Sequence, residues 1–234
     1  MVLGTDHERV TRSLRNCSLF EAVPEPTVAA VAVGARKRQF RRGEVIFHQD
    51  DAGETLHVID RGKVKITLVS PDGNEAILAI LGQGAFFGEL ALLDAGPRSA
   101  TAQAMEPTQT LEVTRSGLAL LLDDGAARDR VLVRVAAEIR RSARQIERLR
   151  FYDLAGRVAL HIADLAAEAG DRTEDGAVVV TLPYGQADLA ALVGATRQGV
   201  NRIIRELERE GLVVTDGRTV TIPDIDRLVS RANA

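Results

Sequence analysis

Between residues 126 and 151 the apolar or small side chains of one face fall at Leu132, Val135, Ile139, Ser142, Ile146 and Leu149. The steps are 3, 4, 3, 4 and 3 residues, a spacing that an α-helix gathers into a single narrow stripe and a strand would scatter over both faces. Arg134, Glu138, Arg140, Arg141, Arg144, Glu147, Arg148 and Arg150 lie between the stripe positions as a solvated face. Such a helix cannot be sunk into a broad core; the pattern predicts one helical partner along a seam. Ser142 is the polar exception. A lone polar residue in a seam costs stability and is kept for register or for a molecule it binds; an ordinary helix with a tolerated serine is the plainer alternative.

The pattern changes on either side of this helix. Upstream, 10–33 reads as short helical pieces, with a turn at Ser18-Leu19-Phe20 and a helix over 27–33 after Pro24-Glu25-Pro26. From Arg36 the chain becomes short β-rich runs, among them Val45-Ile46-Phe47, Leu56 to Ile59, Val64 to Leu68 and Ile77 to Leu81, separated by Gly43, Gly53, Gly62, Gly73, Gly82 and Gly84. A turn signal about every ten residues predicts an antiparallel sandwich or jelly roll. Asp72-Gly73 suits a hairpin turn, and strand structure runs on from Ala100 to about Val113, before Thr114 caps helical residues. Downstream, Asp153 caps a helix over 154–169, an exposed polar loop fills 170–176, a strand covers 177–182, and helices follow over 186–192 and 196–209. A hairpin over 212–222 turns at Asp216-Gly217. The chain of 234 residues is long enough for two compact domains, and the expected organisation is α+β: a β domain over 1–125, the seam helix and hinge over 126–152, and a helical domain over 153–234.

Composition removes several function classes. No run approaches the roughly 18 apolar residues of a membrane helix, and Asp6, His7 and Glu8 stand where a signal peptide would carry a basic and then apolar segment. The single cysteine, Cys17, excludes an intrachain disulfide and a four-cysteine cluster, so a cytoplasmic protein is expected. A cupin-like metal enzyme is the remote rival for the β pattern. It needs clustered ligands, whereas His48 and His57 are nine residues apart without a third histidine in the β region; both read as surface or turn residues. His161 reads as a helix-surface residue, and Asp50-Asp51 and Asp123-Asp124 as solvated turns. No nucleophile is paired with a base, and no enzyme is expected.

Two stretches carry chemistry. Residues 86–102 interrupt the strands with one helical turn, Glu89 to Leu93, closed by Gly96-Pro97. A helical turn after Gly88 exposes backbone N–H groups, and ten residues on Arg98 offers a guanidinium fork with the Ser99 hydroxyl beside it. A carboxylate at Glu89 fits such a site when it accepts from sugar hydroxyls. That set suits a nucleotide; a surface Glu89–Arg98 ion pair is the alternative. The second stretch, 186–207, has helix-turn-helix spacing. Leu189 and Leu192 face inward, Gly194 permits the turn, Thr196 caps the second helix, and Val200, Ile203, Ile204 and Leu207 face the core. Arg197, Gln198, Asn201, Arg202 and Arg205 remain on the outer face, where long donors reach base edges in a DNA major groove, and Arg218 stands near the tip of the following wing. The basic surface is therefore local, which reconciles DNA binding with a net charge of −3.

Gly88-Glu89-Leu90 with Arg98-Ser99-Ala100, framed by Gly43, Gly53 and Gly62, resembles the phosphate-binding cassette of cyclic-nucleotide-binding domains. From about Leu19 to Leu228 the order of parts is similar to that of the bacterial cyclic-AMP receptor (catabolite activator) family. The resemblance implies an N-terminal β-roll sensor domain, a long dimerisation helix and a C-terminal winged helix-turn-helix, in a homodimeric transcription regulator. It implies that Arg98, Ser99 and the backbone around Gly88 and Leu90 hold a cyclic phosphate, that Glu89 holds the ribose 2′-hydroxyl, and that Ile66, Leu78 and Leu81 line the pocket. Cyclic AMP is the expected effector and cyclic GMP the second candidate. A regulator of the same fold that senses another nucleotide or none is the nearer rival. Ser142 matches a threonine that meets the adenine amino group, while Ala143 stands where the family has a serine reaching from the opposite subunit. Arg197 and Arg202 match arginines that contact guanines. Gln198 stands between them where glutamate is frequent, so base preference is expected to depart at one step per half-site. RNA polymerase contact is implied by the resemblance, with 171–176 as a candidate loop.

Overall fold

A computed structural model describes residues 3–21, 23–73 and 75–232. The chain forms two compact units, Met1–Glu138 and Ile139–Ala234. The division falls within one continuous helix, α5, named below.

The first unit opens with α1 (Leu3–Arg15), a 3-10 turn at Ser18–Phe20 and α2 (Glu25–Gly34). Pro26 sits in the first turn of α2, where its missing N–H costs nothing. Strands β1 (Arg36–Phe40), β2 (Val45–Phe47), β3 (Thr55–Arg61), β4 (Val64–Val69), β5 (Glu75–Leu81) and β6 (Phe86–Phe87) follow, then a single helical turn, α3 (Leu90–Leu93), and β7 (Thr101–Ala104) and β8 (Thr108–Thr114). They make two four-stranded antiparallel sheets, β1-β8-β3-β6 and β2-β7-β4-β5. The Thr114 hydroxyl accepts from the Gly117 amide at 3.3 Å and starts α4 (Arg115–Asp123), which leads into α5 (Gly125–Phe151).

In the first sheet β3 and β8 are buried on both faces, while the edge strand β1 is exposed over 36–39. Leu56 and Val58 of β3, with Leu111 and Val113 of β8, point outward into a core shared with Leu14, Phe20, Val28, Val31, Leu118, Leu121 and Val131 of the helices. Ile59 and Phe87 face the other way, against Val64, Ala79, Leu81 and Ala102 of the second sheet. Each large apolar side chain buried in these layers contributes about 1.5–3 kcal/mol. His57 shares the inner face of β3 and is 3% exposed, which corrects its reading as a turn or surface residue.

In the second unit Asp153 caps α6 (Leu154–Ala169), its carboxylate accepting from the Gly156 amide at 2.7 Å. The expected loop 170–176 holds a short strand, β9 (Asp171–Arg172), paired with β10 (Val178–Thr181). Then come α7 (Gln186–Val193), α8 (Arg197–Arg209), the hairpin β11 (Val214–Asp216) and β12 (Thr219–Ile222), and α9 (Ile225–Ala232); the sheet order is β11-β12-β10-β9. Helix α9 was not expected. Asp224 Oδ1 accepts from the amides of Asp226 and Arg227, both at 3.0 Å, and starts it; its buried residues, Leu228 and Ala232, are too few to show a helical period. His161 of α6 is partly buried and bonded to the Tyr184 hydroxyl, so it is no plain surface residue.

Candidate functional site

The first unit builds a cradle around one cation. Arg98 is 4% exposed although it carries a full charge. Its backbone is fixed to the turn before β3: the Arg98 amide donates to the Asp51 carbonyl and the Asp50 amide to the Arg98 carbonyl, each at 2.9 Å. Its Nη1 donates to the Gly88 carbonyl at 2.8 Å and its Nη2 to the Thr55 hydroxyl at 3.4 Å, while Phe47 lies 4.0 Å from the guanidinium carbon. Nε is buried without an acceptor, and no carboxylate of the described residues lies within ion-pairing distance of Arg98. Burial pushes the guanidinium pKa down, against the pull of Asp51, Glu112 and Glu89. A buried cation with neutral partners and a spare donor is suited to take up an anion.

Two glycines make room for it. A Cβ on Gly88 would stand 2.5 Å from Arg98 Nη1, and one on Gly53 would stand 2.3 Å from the Ala91 Cβ and 3.3 Å from Arg98 Nε. Gly88 also has φ +82°, where side chains are strained. The sequence offers Gly53 as a turn and as part of the glycine frame; its close approach to Arg98 needs the folded chain, as do the roles of Phe47 and Thr55.

Glu89 and Arg98 form no ion pair, so the surface-pair alternative does not hold. Burial raises the Glu89 carboxyl, with Arg134 and Arg98 holding it down and Glu138 pushing it up. Arg134 of α5 is 3.9 Å from Glu138 and has its guanidinium carbon 5.5 Å from the Phe86 ring. Helix α3 has only four residues, so its dipole is a weak anion attractor and Arg98 supplies the charge. Its last carbonyls are taken by Arg115, from Nη1 to Leu92 at 2.7 Å and from Nη2 to Ala91 at 3.3 Å. Ser99 and Leu90 are exposed beside the cradle. Ile66 and Leu81 belong to the inner cluster of the roll, whereas Leu78 falls at a bulge, where the register shifts between the pairs Ile66–Ala79 and Thr67–Ile77. Ser142 and Ala143 are exposed on the part of α5 that belongs to the second unit.

Along the stripe, Leu132, Ile139, Ile146 and Leu149 are 55–66% exposed. Val135 differs. It is half-buried against the helix-side core of the first unit, so it is a packing residue of its own domain before it is part of any seam.

In the second unit Gly194 takes φ +66° at the turn between α7 and α8, and the Ala195 amide donates to the Ala190 carbonyl at 2.9 Å. The Thr196 hydroxyl accepts from the Gly199 amide at 3.1 Å and caps α8. Val200, Ile203, Ile204 and Leu207 are buried; on α7 it is Leu189 and Val193 that are fully buried, with Leu192 only partly so. Arg197, Gln198, Arg202 and Arg205 are exposed on one face of α8, and Arg218 is exposed next to the wing turn. Asn201 is half-buried with its Oδ1 covered and unbonded. Among the described residues, no three or more His, Cys, Asp or Glu are grouped to hold a metal ion, and no helix is long and apolar enough to cross a membrane.

The models of two protein families match this chain: the cyclic nucleotide-binding domain over residues 37–124 and the Crp-like helix-turn-helix domain over 156–231. A CRP-like cAMP-activated global transcriptional regulator of Mycobacterium tuberculosis is 34% identical over 94% of this chain and 98% of its own length. Among solved structures, that of a CooA mutant from Carboxydothermus hydrogenoformans superposes with a TM-score of 0.76 at 20% identity, over 86% of this chain and 88% of the other. The c-di-GMP responsive global regulator CLP of Xanthomonas campestris gives 0.70 at 23% identity, over 86% and 100%. A β-roll of the cyclic-nucleotide-binding type, a long helix and a winged helix-turn-helix thus occur in one chain, and the chain belongs to the CRP/FNR family of bacterial transcriptional regulators, which are ligand-responsive DNA-binding proteins and not enzymes.

Proposed function

We propose that this regulator is a homodimer that takes cyclic AMP at the Arg98 cradle and reads DNA with α8. The observation that carries the effector assignment is the buried guanidinium of Arg98, whose Nε–H has no acceptor and which has no carboxylate partner among the described residues. A cyclic phosphate supplies the missing charge to Arg98 with Ser99 beside it, and Glu89 accepts from the ribose 2′-hydroxyl, as the family resemblance implies. Four exposed apolar residues of the α5 stripe, Leu132, Ile139, Ile146 and Leu149, support a second copy of the chain as their partner. Ser142 lies on the same stripe and is the candidate base contact by family resemblance alone. Effector binding then biases the dimer toward an arrangement that presents both α8 helices to half-sites about one DNA turn, roughly 34 Å, apart. An RNA polymerase contact through 171–176 rests on family resemblance and on the exposure of that hairpin.

A second effector reading has its own observation. Ala143 has no hydroxyl to reach a base, and CLP, of the same fold, is described as responsive to c-di-GMP. Calorimetry of the purified chain with cyclic AMP, cyclic GMP and c-di-GMP separates these readings. Arg98→Leu is expected to weaken cyclic-AMP binding at least 100-fold, about 3 kcal/mol, because a charged donor to phosphate is lost. An unchanged affinity in that variant would remove the cradle assignment.

A further inference from the structure

Behind Arg98, on the inner face of β3, lies a set of groups that the proposed contacts with the effector do not use. The Thr55 hydroxyl accepts from Arg98 Nη2 at 3.4 Å and stands 3.5 Å from His57 Nε2. His57 Nδ1 is 3.1 Å from the Thr110 hydroxyl. A hydroxyl that accepts from a guanidinium turns its own hydrogen elsewhere, and the imidazole nitrogen is the acceptor in reach. Such a sequence assigns the tautomer: Nε2 accepts and Nδ1–H donates to Thr110. The ring is held in that pose by stacking on Phe87, with centroids 5.2 Å apart and planes 11° off parallel. Phe47 connects the two groups a second way, with its centroid 5.9 Å from that of His57 and its ring under Arg98 at 4.0 Å. His57 is therefore a rigid, neutral acceptor that fixes the rotor of the one hydroxyl touching the inner edge of the guanidinium.

We infer that His57, acting through Thr55 and Phe47, is a positioning residue for the effector's phosphate: it holds the inner edge of Arg98 so that the Nε edge stays turned to the anion. The inference rests on the reading of Arg98 as the phosphate-binding cation. The state of His57 agrees with the role. Burial first, then Arg98 and Arg38, lowers its pKa to about 3, and Glu112, 4.0 Å away, does not offset them. A protonated ring would turn a donor on the Thr55 hydroxyl and set a second cation behind the first.

Thr55→Val, His57→Phe and the double variant test this by calorimetry with cyclic AMP. Phe keeps the stacked ring and loses the acceptor; Val keeps the shape of threonine and loses the hydroxyl. Each single variant is expected to bind cyclic AMP about fivefold more weakly, the worth of one hydrogen bond. The double variant is expected to be no weaker than the weaker single, because both cut the same connection. A merely structural contribution predicts additive losses instead, and additivity overturns the inference. So does wild-type affinity, within twofold, in either single variant. Should His57→Phe not fold, His57→Leu, which also removes the acceptor, takes its place under the same twofold criterion. A wild-type chain that binds no cyclic AMP overturns this inference together with the effector assignment, whereas binding by wild type with unaltered variants overturns the inference alone.

Discussion

His57 and His161 each sit where a positive charge is costly. Burial foremost lowers their pKa values, to about 3 and about 4, with Arg98 and Arg38 acting on His57 and Arg148 on His161 against the pull of Asp164. In the unfolded chain both titrate near 6.5. The unfolded state therefore binds protons first as pH falls: the stability these residues give is complete above about 6.5 and drains away as pH drops toward 4 and then 3. Glu89, whose carboxyl is raised, works in the opposite sense and loses its contribution as pH rises through the carboxylate range. Between pH 7.5 and 5.0 the fully buried His57 is expected to remove about 2 kcal/mol of unfolding free energy, at about 1.4 kcal/mol per pH unit below 6.5. Urea unfolding of wild type and His57→Phe at the two pH values measures it, and an equal pH dependence in both proteins would refute the assignment. Residue types that name their own chemistry are legible in the sequence as candidates: Glu89, Arg98, Ser99 and the arginines of α8 stand out by type and order. His57 does not, for a physical reason. Both faces of β3 are buried, so Thr55, His57 and Ile59 alternate with Leu56 and Val58 without the inside–outside contrast that marks a half-buried strand.

At the level of elements, periodicity located what is long or capped and missed what is short. The boundaries of α6 and the α7–α8 pair follow from Asp153, Gly194 and Thr196, whose side chains or backbone end or begin each helix. The two-residue β9 is too short to show alternation, and α9 was missed because only Leu228 and Ala232 of its eight residues are buried. The α5 stripe was legible as a helix face, yet spacing alone could not say which positions face their own domain, and Val135 does. That distinction makes the seam testable. Ile139→Asp puts a charge on an exposed stripe position and is expected to split the proposed dimer while leaving the fold intact. Loss of one buried isoleucine per chain, about 2–3 kcal/mol each, weakens association at least 100-fold. Val135→Asp is instead expected to lower the melting temperature, since it buries an unpaired charge in the first unit. Sedimentation equilibrium at micromolar concentration with parallel thermal melts distinguishes the two; a dimer that survives Ile139→Asp would exclude the α5 stripe as the seam.

For the whole molecule the overall charge is a poor guide to the partner. Thirty lysines and arginines against 33 acidic residues leave a net −3, which as a uniform sphere would repel DNA. Charges are felt over roughly 8–10 Å at physiological salt, so on the proposed reading a phosphate meets the local field of Arg197, Arg202, Arg205 and Arg218, all exposed on α8 and its wing. Sequence and salt dependence should therefore separate by residue. On the proposed reading Arg197 and Arg202, toward the N-terminal end of α8, read bases, and Arg218, on the wing, neutralises a phosphate. Removing Arg218 deletes one phosphate contact per chain, two per dimer, and the slope of log K against log salt is expected to become shallower by about 2, with sequence preference unchanged. Arg197→Ala is expected to cost about 1–3 kcal/mol on the preferred site and much less on unrelated DNA. Fluorescence anisotropy over a salt series, with specific and scrambled duplexes, reads both quantities. If Arg218→Ala changed the preference among sequences and left the salt slope unaltered, the wing would be reading bases and this division of labour would be reversed.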